Sequence, residues 1–120
     1  MDQIVKITLN DGLMLPSGFV SPATYVCNIF CKVPAEWTGD NALKTEHEEA
    51  VLEYLYGKKF RDGNEDGSRY VYRNFRSQVL TPAEVESGEW RTATNTKEQH
   101  FWHCVATPNG ELVRANASDL

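Results

Sequence analysis

The chain has 120 residues, of which 41% are hydrophobic and 24% are charged. These values are typical of one globular domain and argue against a disordered or low-complexity chain. The formal net charge is −5, from 12 basic and 17 acidic residues, which argues against a protein whose whole surface binds DNA.

The N-terminus and the cysteines predict the compartment. The segment MDQIVKITLND has neither the basic nor the apolar region of a signal peptide, and no apolar run approaches the roughly 18 residues of a membrane span. Three cysteines, Cys27, Cys31 and Cys104, are an odd number that does not suit a disulfide framework. We therefore expect a single cytoplasmic domain over residues 1–120, with no membrane partner and with reduced, buried thiols.

The first half of the chain predicts two strands. Apolar residues alternate over Ile4–Leu9, which indicates a strand, and Asn10-Asp11-Gly12 predicts a turn after it. Leu13–Pro22 contains two prolines and a glycine and is expected to be irregular. Thr24–Val33 has one continuous apolar face and a mixed opposite face, which is typical of an interior strand.

The best-defined element is a main helix over about Glu46–Tyr56. Thr45 as the cap and Glu48 three residues later match a capping box, and the acidic first turn suits the helix dipole. Gly57 predicts the C-terminal end. The predicted buried face consists of residues at helical spacing: His47, Val51, Tyr54 and Leu55.

The second half predicts a strand and a short helix. Arg69–Leu80 is rich in β-branched and aromatic residues and indicates a strand. Thr81-Pro82-Ala83-Glu84 is a second capping box, with proline at the first helical position, and Gly88 ends that helix. Trp90–Glu98 is polar and is expected to be a loop.

The C-terminus predicts a hairpin, and the whole pattern predicts the fold class. Gln99–Thr107 and Glu111–Ala115 read as strands joined by a turn at Pro108-Asn109-Gly110. The expected fold is α+β, with an antiparallel or mixed β-sheet of about five or six strands. The main helix, about 46–56, packs on one face, and the second helix is short, about 82–87.

The segment RYVYRNFR, residues 69–76, is the first candidate binding site. It has three arginines and three aromatic residues and lacks an acid. Such residues can anchor a protein partner, or stack bases and bind phosphates; equally, they can form a half-buried strand whose arginines stay solvated. Regular alternation would place Arg69 and Arg73 on one face with Phe75, and Tyr70 and Tyr72 on the other face with Arg76.

Acidic residues on the main helix form the second candidate. Residues 1–57 contain eight acids and three bases, so the charge of −5 is concentrated there, and the remaining nine acids and nine bases cancel. Glu46, Glu49 and Glu53 fall on the helix side opposite Val51 and Leu55. Such a face is usually solvated, but it could also dock on a basic partner surface.

A weak metal candidate follows the helix. Asp62, Asn64 and Asp66 stand at the first, third and fifth positions of a calcium-like loop, and Gly67 takes the sixth. The twelfth position, where a glutamate should complete the ligand shell, is Arg73, and a strand follows. A tight turn is therefore the favoured interpretation, calcium is the weaker alternative, and no other cofactor is expected.

The thiols and histidines do not match a catalytic or zinc pattern. Four residues of strand separate Cys27 from Cys31 by about 13 Å, too far for a shared zinc or a disulfide. His100 and His103 should face opposite sides of a strand, and neighbours such as His103 and Cys104 diverge. The sequence also lacks a G-x-S-x-G elbow and glycine-rich phosphate loops. We therefore assign no catalytic residue.

These observations favour a non-catalytic binding protein. We expect a small acidic accessory or inhibitor-like domain that recognises a macromolecule, with a protein as the favoured partner, in the manner of inhibitors, immunity proteins or mobile-element accessory proteins. One alternative is a protein for an anionic, nucleotide-like ligand, or an unfamiliar enzyme, that uses the arginines of residues 69–76. A weaker alternative is single-strand nucleic-acid binding through the same residues.

Overall fold

The computed structural model describes residues 2–20, 26–57, 60 and 62–120. Their main element is a five-stranded mixed sheet in the order β5-β1-β2-β6-β7, with a separate two-stranded ribbon, β3-β4. β1 is antiparallel to β2 and β5, β2 is parallel to β6, and β6 is antiparallel to β7. The strands are β1 Asp2–Met14, β2 Val26–Pro34, β3 Thr38–Gly39, β4 Ala42–Leu43, β5 Arg69–Val79, β6 Gln99–Ala106 and β7 Leu112–Arg114.

Helices lie on both sides of this sheet, and they confirm the predicted α+β class. A 3-10 turn, Thr45–His47, leads into the main helix α1, Glu48–Tyr56. Two short helices follow β5: α2, Pro82–Ser87, and α3, Glu89–Thr92. The predicted boundaries of the second helix are therefore confirmed.

The larger part of the core lies between the sheet and α1. Alternating residues of β1 and β2 point toward α1, as the apolar periodicity of both strands predicts. Their side chains are almost fully buried, and burial of this kind stabilises the fold by about 25 cal/mol per Å². The cluster comprises Val5, Ile7, Ile29, Cys31, Val33, Trp37, Leu43, Val51, Cys104 and Leu112.

A smaller core lies on the opposite side of the sheet, beneath α2 and α3. Ile4 and Phe30 from the sheet pack with Leu80 and Trp90. The Trp90 indole N–H donates to the Val85 carbonyl at 3.2 Å, which ties α3 to α2. This second core occupies one end of that sheet face, and Arg73 and Arg76 at the other end are exposed.

The predicted turn at Asn10–Gly12 is wrong. β1 continues without interruption to Met14 and keeps its antiparallel pairing with β5. The chain reverses later, where Leu15 donates to the Phe19 carbonyl and Met14 pairs with Val20. Asn, Asp and Gly permit a turn but do not force one, and here the whole segment of thirteen residues forms one strand.

Two further local predictions need correction. The capping box of Thr45 and Glu48 does not form, because Thr45 lies in the 3-10 turn and neither that turn nor α1 has a side-chain cap. His47 precedes α1 and stacks on the Trp37 ring, with centroids 4.3 Å apart. The segment Trp90–Glu98 is not entirely loop, since its first three residues belong to α3.

Other local predictions are confirmed. β2 is an interior strand between β1 and β6, although Thr24 and Tyr25 of the predicted strand lie outside the described residues. β6 and β7 form the C-terminal hairpin. Thr81 caps α2: its hydroxyl accepts from the Glu84 N–H at 3.2 Å, and the Glu84 carboxylate accepts from the Thr81 N–H at 3.0 Å.

The capping box gives a stability prediction. Thr81→Ala removes the hydroxyl that accepts from the first turn of α2, and we expect it to lower the free energy of unfolding by about 1 kcal/mol. Urea denaturation measures the change. Thr94→Ala is the control, because Thr94 is exposed and no side-chain hydrogen bond is described for it; equal effects of the two variants would contradict the role of the cap.

Candidate functional site

A β-bulge in β5 determines which side chains each face of the sheet presents. Thr8 of β1 pairs with Arg76, but Asn10 pairs with Arg73, so two residues of β5 stand opposite Leu9 alone. Asn74 adopts the left-handed conformation, with φ of 57°, and its amide donates to the Asn10 side-chain oxygen at 2.9 Å. Asparagine is among the few non-glycine residues that accept this conformation readily.

The bulge overturns the predicted distribution of residues 69–76. Each extra residue in a strand reverses the face of every side chain beyond it. The pairing with β1 therefore places the aromatic residues Tyr70, Tyr72 and Phe75 on the side of α1. It places the three arginines, Arg69, Arg73 and Arg76, on the opposite side. Regular alternation would have placed both arginines and aromatic residues on each face.

The exposed tyrosines of β5 are held by neighbouring aromatic rings. The Tyr70 ring stacks on Tyr56 of α1, with centroids 4.9 Å apart and planes 13° apart. The Tyr72 ring meets the edge of Phe75 at 5.9 Å, and Phe75 packs against the main core. Nevertheless Tyr70 and Tyr72 remain 40% and 41% exposed. Their rings therefore form an exposed apolar surface, and contacts with neighbouring rings fix its position.

Two more exposed apolar side chains lie at the same end of the sheet. Leu15 is 40% and Phe19 is 60% exposed, in the turn that follows β1. Met14, the last residue of β1, pairs with Arg69 at the start of β5, so this turn adjoins the two tyrosines. We call Leu15, Phe19, Tyr70 and Tyr72 the aromatic end. Leu15 and Phe19 are not among the site residues predicted from the sequence, because they lie in a segment without periodicity.

The opposite side of β5 is polar and basic. We call the side that carries Arg69, Arg73 and Arg76, with their neighbours on β1 and β2, the arginine face. Two rows of paired residues cross this face: Arg73, Asn10 and Val26 form one, and Arg76, Thr8, Asn28 and Phe101 form the next, in which Asn28 is buried. Neither row contains an acidic residue.

Arg73 and Arg76 are exposed and lack a carboxylate partner. In the part of the chain that the structure describes, no Asp or Glu lies within 4.0 Å of either guanidinium group. Lys6 continues the basic side beyond Thr8, and its ammonium lies 6.0 Å from the centre of the Phe30 ring. Arg73 and Arg76 therefore offer cationic groups without a neighbouring carboxylate, whereas the charge of Lys6 acts on Glu84 and helps to lower the pKa of that carboxyl group.

The acidic candidates are divided between two elements. Glu49 and Glu53 are four residues apart on α1, and Tyr56 follows three residues later on the same side of the helix. Glu46 instead lies in the 3-10 turn before α1, beside His47. Because Tyr56 stacks on Tyr70, the acidic side of α1 leads to the aromatic end.

The calcium-like loop forms internal hydrogen bonds. The Asp66 carboxylate accepts from both the N–H and the hydroxyl of Ser68, at 2.9 and 2.6 Å, and these bonds lower the pKa of Asp66. The Asn64 amide donates to the Ser68 hydroxyl, while Asp62 is exposed. Among the residues described, no group of three His, Cys, Asp or Glu side chains could hold a metal ion.

The three cysteines are free and buried, as predicted. Burial, with a smaller contribution from the charge of Asp11, raises the pKa of Cys27 to about 12. Cys31 pairs directly with Cys104 across β2 and β6, and burial followed by the hydrogen bond with Cys104 raises the pKa of Cys31. A protonated, buried thiol is a poor nucleophile and a poor metal ligand.

The histidines also have structural contacts. The His103 ring nitrogen lies 2.8 Å from the Trp90 carbonyl oxygen, and the ring stacks on Phe30. His100 contacts the Trp102 ring. Together with the stacking of His47 on Trp37, these contacts give each of the three histidines a packing partner.

Comparisons with known proteins do not identify a relative. The chain matches no protein-family model, and no curated protein and no solved structure matches it. Within the described residues, the helices are too short and too polar to cross a bilayer.

The bulge itself can be tested through Asn74. Asn74→Val places a β-branched residue in the left-handed conformation, and we expect it to destabilise the fold by about 1–2 kcal/mol. Asn74→Gly should be tolerated. Gln78→Val, on a regular part of the same strand, is the matched control. Equal stabilities of the two valine variants in urea denaturation would mean that the bulge is absent.

The thiols give a labelling and pH prediction. We expect slow reaction with a thiol reagent in the native protein and three reactive thiols after unfolding. Because the pKa values of Cys27 and Cys31 are raised on folding, the unfolded state releases protons first as pH rises. The free energy of unfolding therefore has its full value below about pH 8, and it falls as the pH rises above the unfolded thiol pKa of about 8.5. Rapid native labelling at pH 8 would contradict the burial.

Proposed function

We propose that this chain is a non-catalytic binding protein that recognises a protein partner through the aromatic end. The observation that carries the proposal is the position of its exposed apolar side chains. Within the described residues, five large hydrophobic side chains are exposed, and four of them form the aromatic end. The fifth, Val113, is on β7 at the opposite edge of the sheet.

The composition and rigidity of the aromatic end favour a protein interface. Tyrosine is over-represented among residues that dominate binding energy, because it buries a large area with few rotatable bonds. Tyr70 and Tyr72 are already held by the rings of Tyr56 and Phe75. Little side-chain freedom remains to be lost on binding, which favours affinity.

The charge around the aromatic end indicates the kind of partner. Glu49 and Glu53 on α1 lead to Tyr56, which contacts Tyr70. An apolar centre with an acidic border complements an apolar surface with a basic border, and such charges mainly increase the association rate. The proposed partner is therefore a protein with a basic rim around an apolar docking surface.

The test compares two equally exposed apolar side chains. Immobilised wild-type, Tyr72→Ala and Val113→Ala proteins are incubated with lysate of the native cell, and the retained proteins are quantified by mass spectrometry. A protein lost with Tyr72→Ala but kept with Val113→Ala is then purified and titrated. We expect Tyr72→Ala to weaken its binding by about 2 kcal/mol, roughly 30-fold, and Val113→Ala to leave it unchanged.

The contribution of the acidic border to partner binding is measured separately. Glu49→Gln should lower the association rate constant a few-fold at low salt and have less effect at high salt. Melting temperatures of all variants separate loss of binding from loss of folding. Identical sets of retained proteins for Tyr72→Ala and Val113→Ala would refute the proposed interface.

A further inference from the structure

A small cavity adjoins the exposed part of the arginine face. It encloses about 320 Å³ between the sheet and the α2–α3 pair. Three aromatic rings line it, from Phe30, Trp90 and Phe101, and the Phe30 and Phe101 rings are parallel, with centroids 6.4 Å apart. Its polar wall consists of Lys6, Glu84, Ser87 and Glu89. We call it the aromatic cavity.

The aromatic cavity and the cationic groups lie on the same side of the sheet. Phe101 belongs to the row that begins with Arg76, and Lys6 lies two residues from Thr8, the partner of Arg76. Three strand-to-strand steps of about 4.8 Å separate Arg76 from Phe101, or about 14 Å. A ligand with an anionic group and a flat apolar ring could therefore contact both regions.

The geometry points to a single-stranded nucleic acid as the occupant: we propose that its phosphates contact Arg73 and Arg76 and that one unstacked base enters the aromatic cavity. Bases stack on aromatic side chains regardless of sequence, and guanidinium groups bind phosphates. A duplex does not fit this scheme, since its bases are already stacked and paired. The proposal is independent of the protein interface, which lies on the other side of β5.

The length of the basic region favours a strand over a mononucleotide. Arg69 pairs with Met14 and Arg76 pairs with Thr8, so the arginines extend along seven residues of β1. That is about 20 Å of extended chain, more than the phosphates of one nucleotide need. Arg73 lies between them and lacks a carboxylate partner in the described part of the chain.

The acids of the cavity wall orient the ligand. Glu84 and Glu89 line the cavity and repel phosphates, whereas their carboxylate oxygens can accept from the N–H groups of a base. Hydrogen bonds from the backbone and side chain of Thr81 lower the pKa of Glu84, which keeps it ionised. The acidic net charge is therefore compatible with the proposal, because the arginine rows themselves contain no acid.

The test is fluorescence anisotropy with labelled 12-nucleotide single strands of DNA and RNA. We expect wild-type affinity to fall roughly sevenfold between 50 and 200 mM salt, as for the neutralisation of about two phosphates of a single strand. Arg76→Glu should lower affinity at least tenfold. Arg114→Glu is the matched control on β7, where Arg114 is exposed and faces the α1 side, and it should change affinity less than twofold.

The cavity is tested separately. Phe101→Leu keeps an apolar side chain but removes the ring, and we expect at least a fivefold loss for loss of one stacked base. Tyr72→Ala should leave oligonucleotide binding unchanged, which separates this site from the protein interface. Melting temperatures confirm that each variant is folded; if Phe101→Leu does not fold, Ser87→Trp, which places a bulky ring in the exposed wall of the cavity, replaces it, with an expected loss of at least fivefold.

Several results would overturn the proposal. They are no salt-dependent binding of either single strand by the wild-type protein, equal losses for Arg76→Glu and Arg114→Glu, and binding of a duplex as tight as that of the single strand. Competition by a mononucleotide as strong as that of the 12-nucleotide strand would also overturn it, because the occupant would then be a small ligand.

Discussion

The distribution of chemistry on this protein depends on one backbone irregularity, the bulge at Asn74. The pairing of β1 with β5 places two residues opposite Leu9, so the side chains of β5 change faces between Arg73 and Arg76. The consequence is that the guanidinium groups of β5 lie on one side of the sheet and the aromatic rings of β5 lie on the other. The left-handed backbone costs of order 1–2 kcal/mol for most residues but less for asparagine, and the hydrogen bond to Asn10 supports it further.

The sequence predicted the elements well and the faces of β5 poorly. Periodicity identifies a strand from its apolar residues, and β1 and β2 have buried residues at alternate positions over most of their length. In β5 most residues are exposed, so no apolar pattern reveals where the alternation shifts. The residue type of Asn74 was the available signal, since asparagine tolerates positive φ, but asparagine is also common in regular surface strands.

Long-range strand pairing explains the other contacts that the sequence did not predict. The parallel pairing of β2 with β6 places Cys31 directly beside Cys104 and aligns Asn28 with Phe101, and residues more than 70 positions apart cannot be aligned from one sequence. The aromatic cavity depends on the same pairing, because Phe30 comes from β2, Phe101 from β6 and Trp90 from α3. Local propensity predicted each of these segments except α3, but it contains no information on their mutual position.

The arginines of β5 also have a structural explanation, and the bulge distinguishes it from a binding role. β5 is an edge strand, and cations on an edge oppose pairing with another chain. That protection would be equally effective with arginines on either face of the strand. It does not explain why all three lie on one side, nor why the tyrosines that the bulge separates from them remain exposed on the other. Two separate binding surfaces on one strand require this arrangement, in which the arginines lie on one face and the tyrosines on the other.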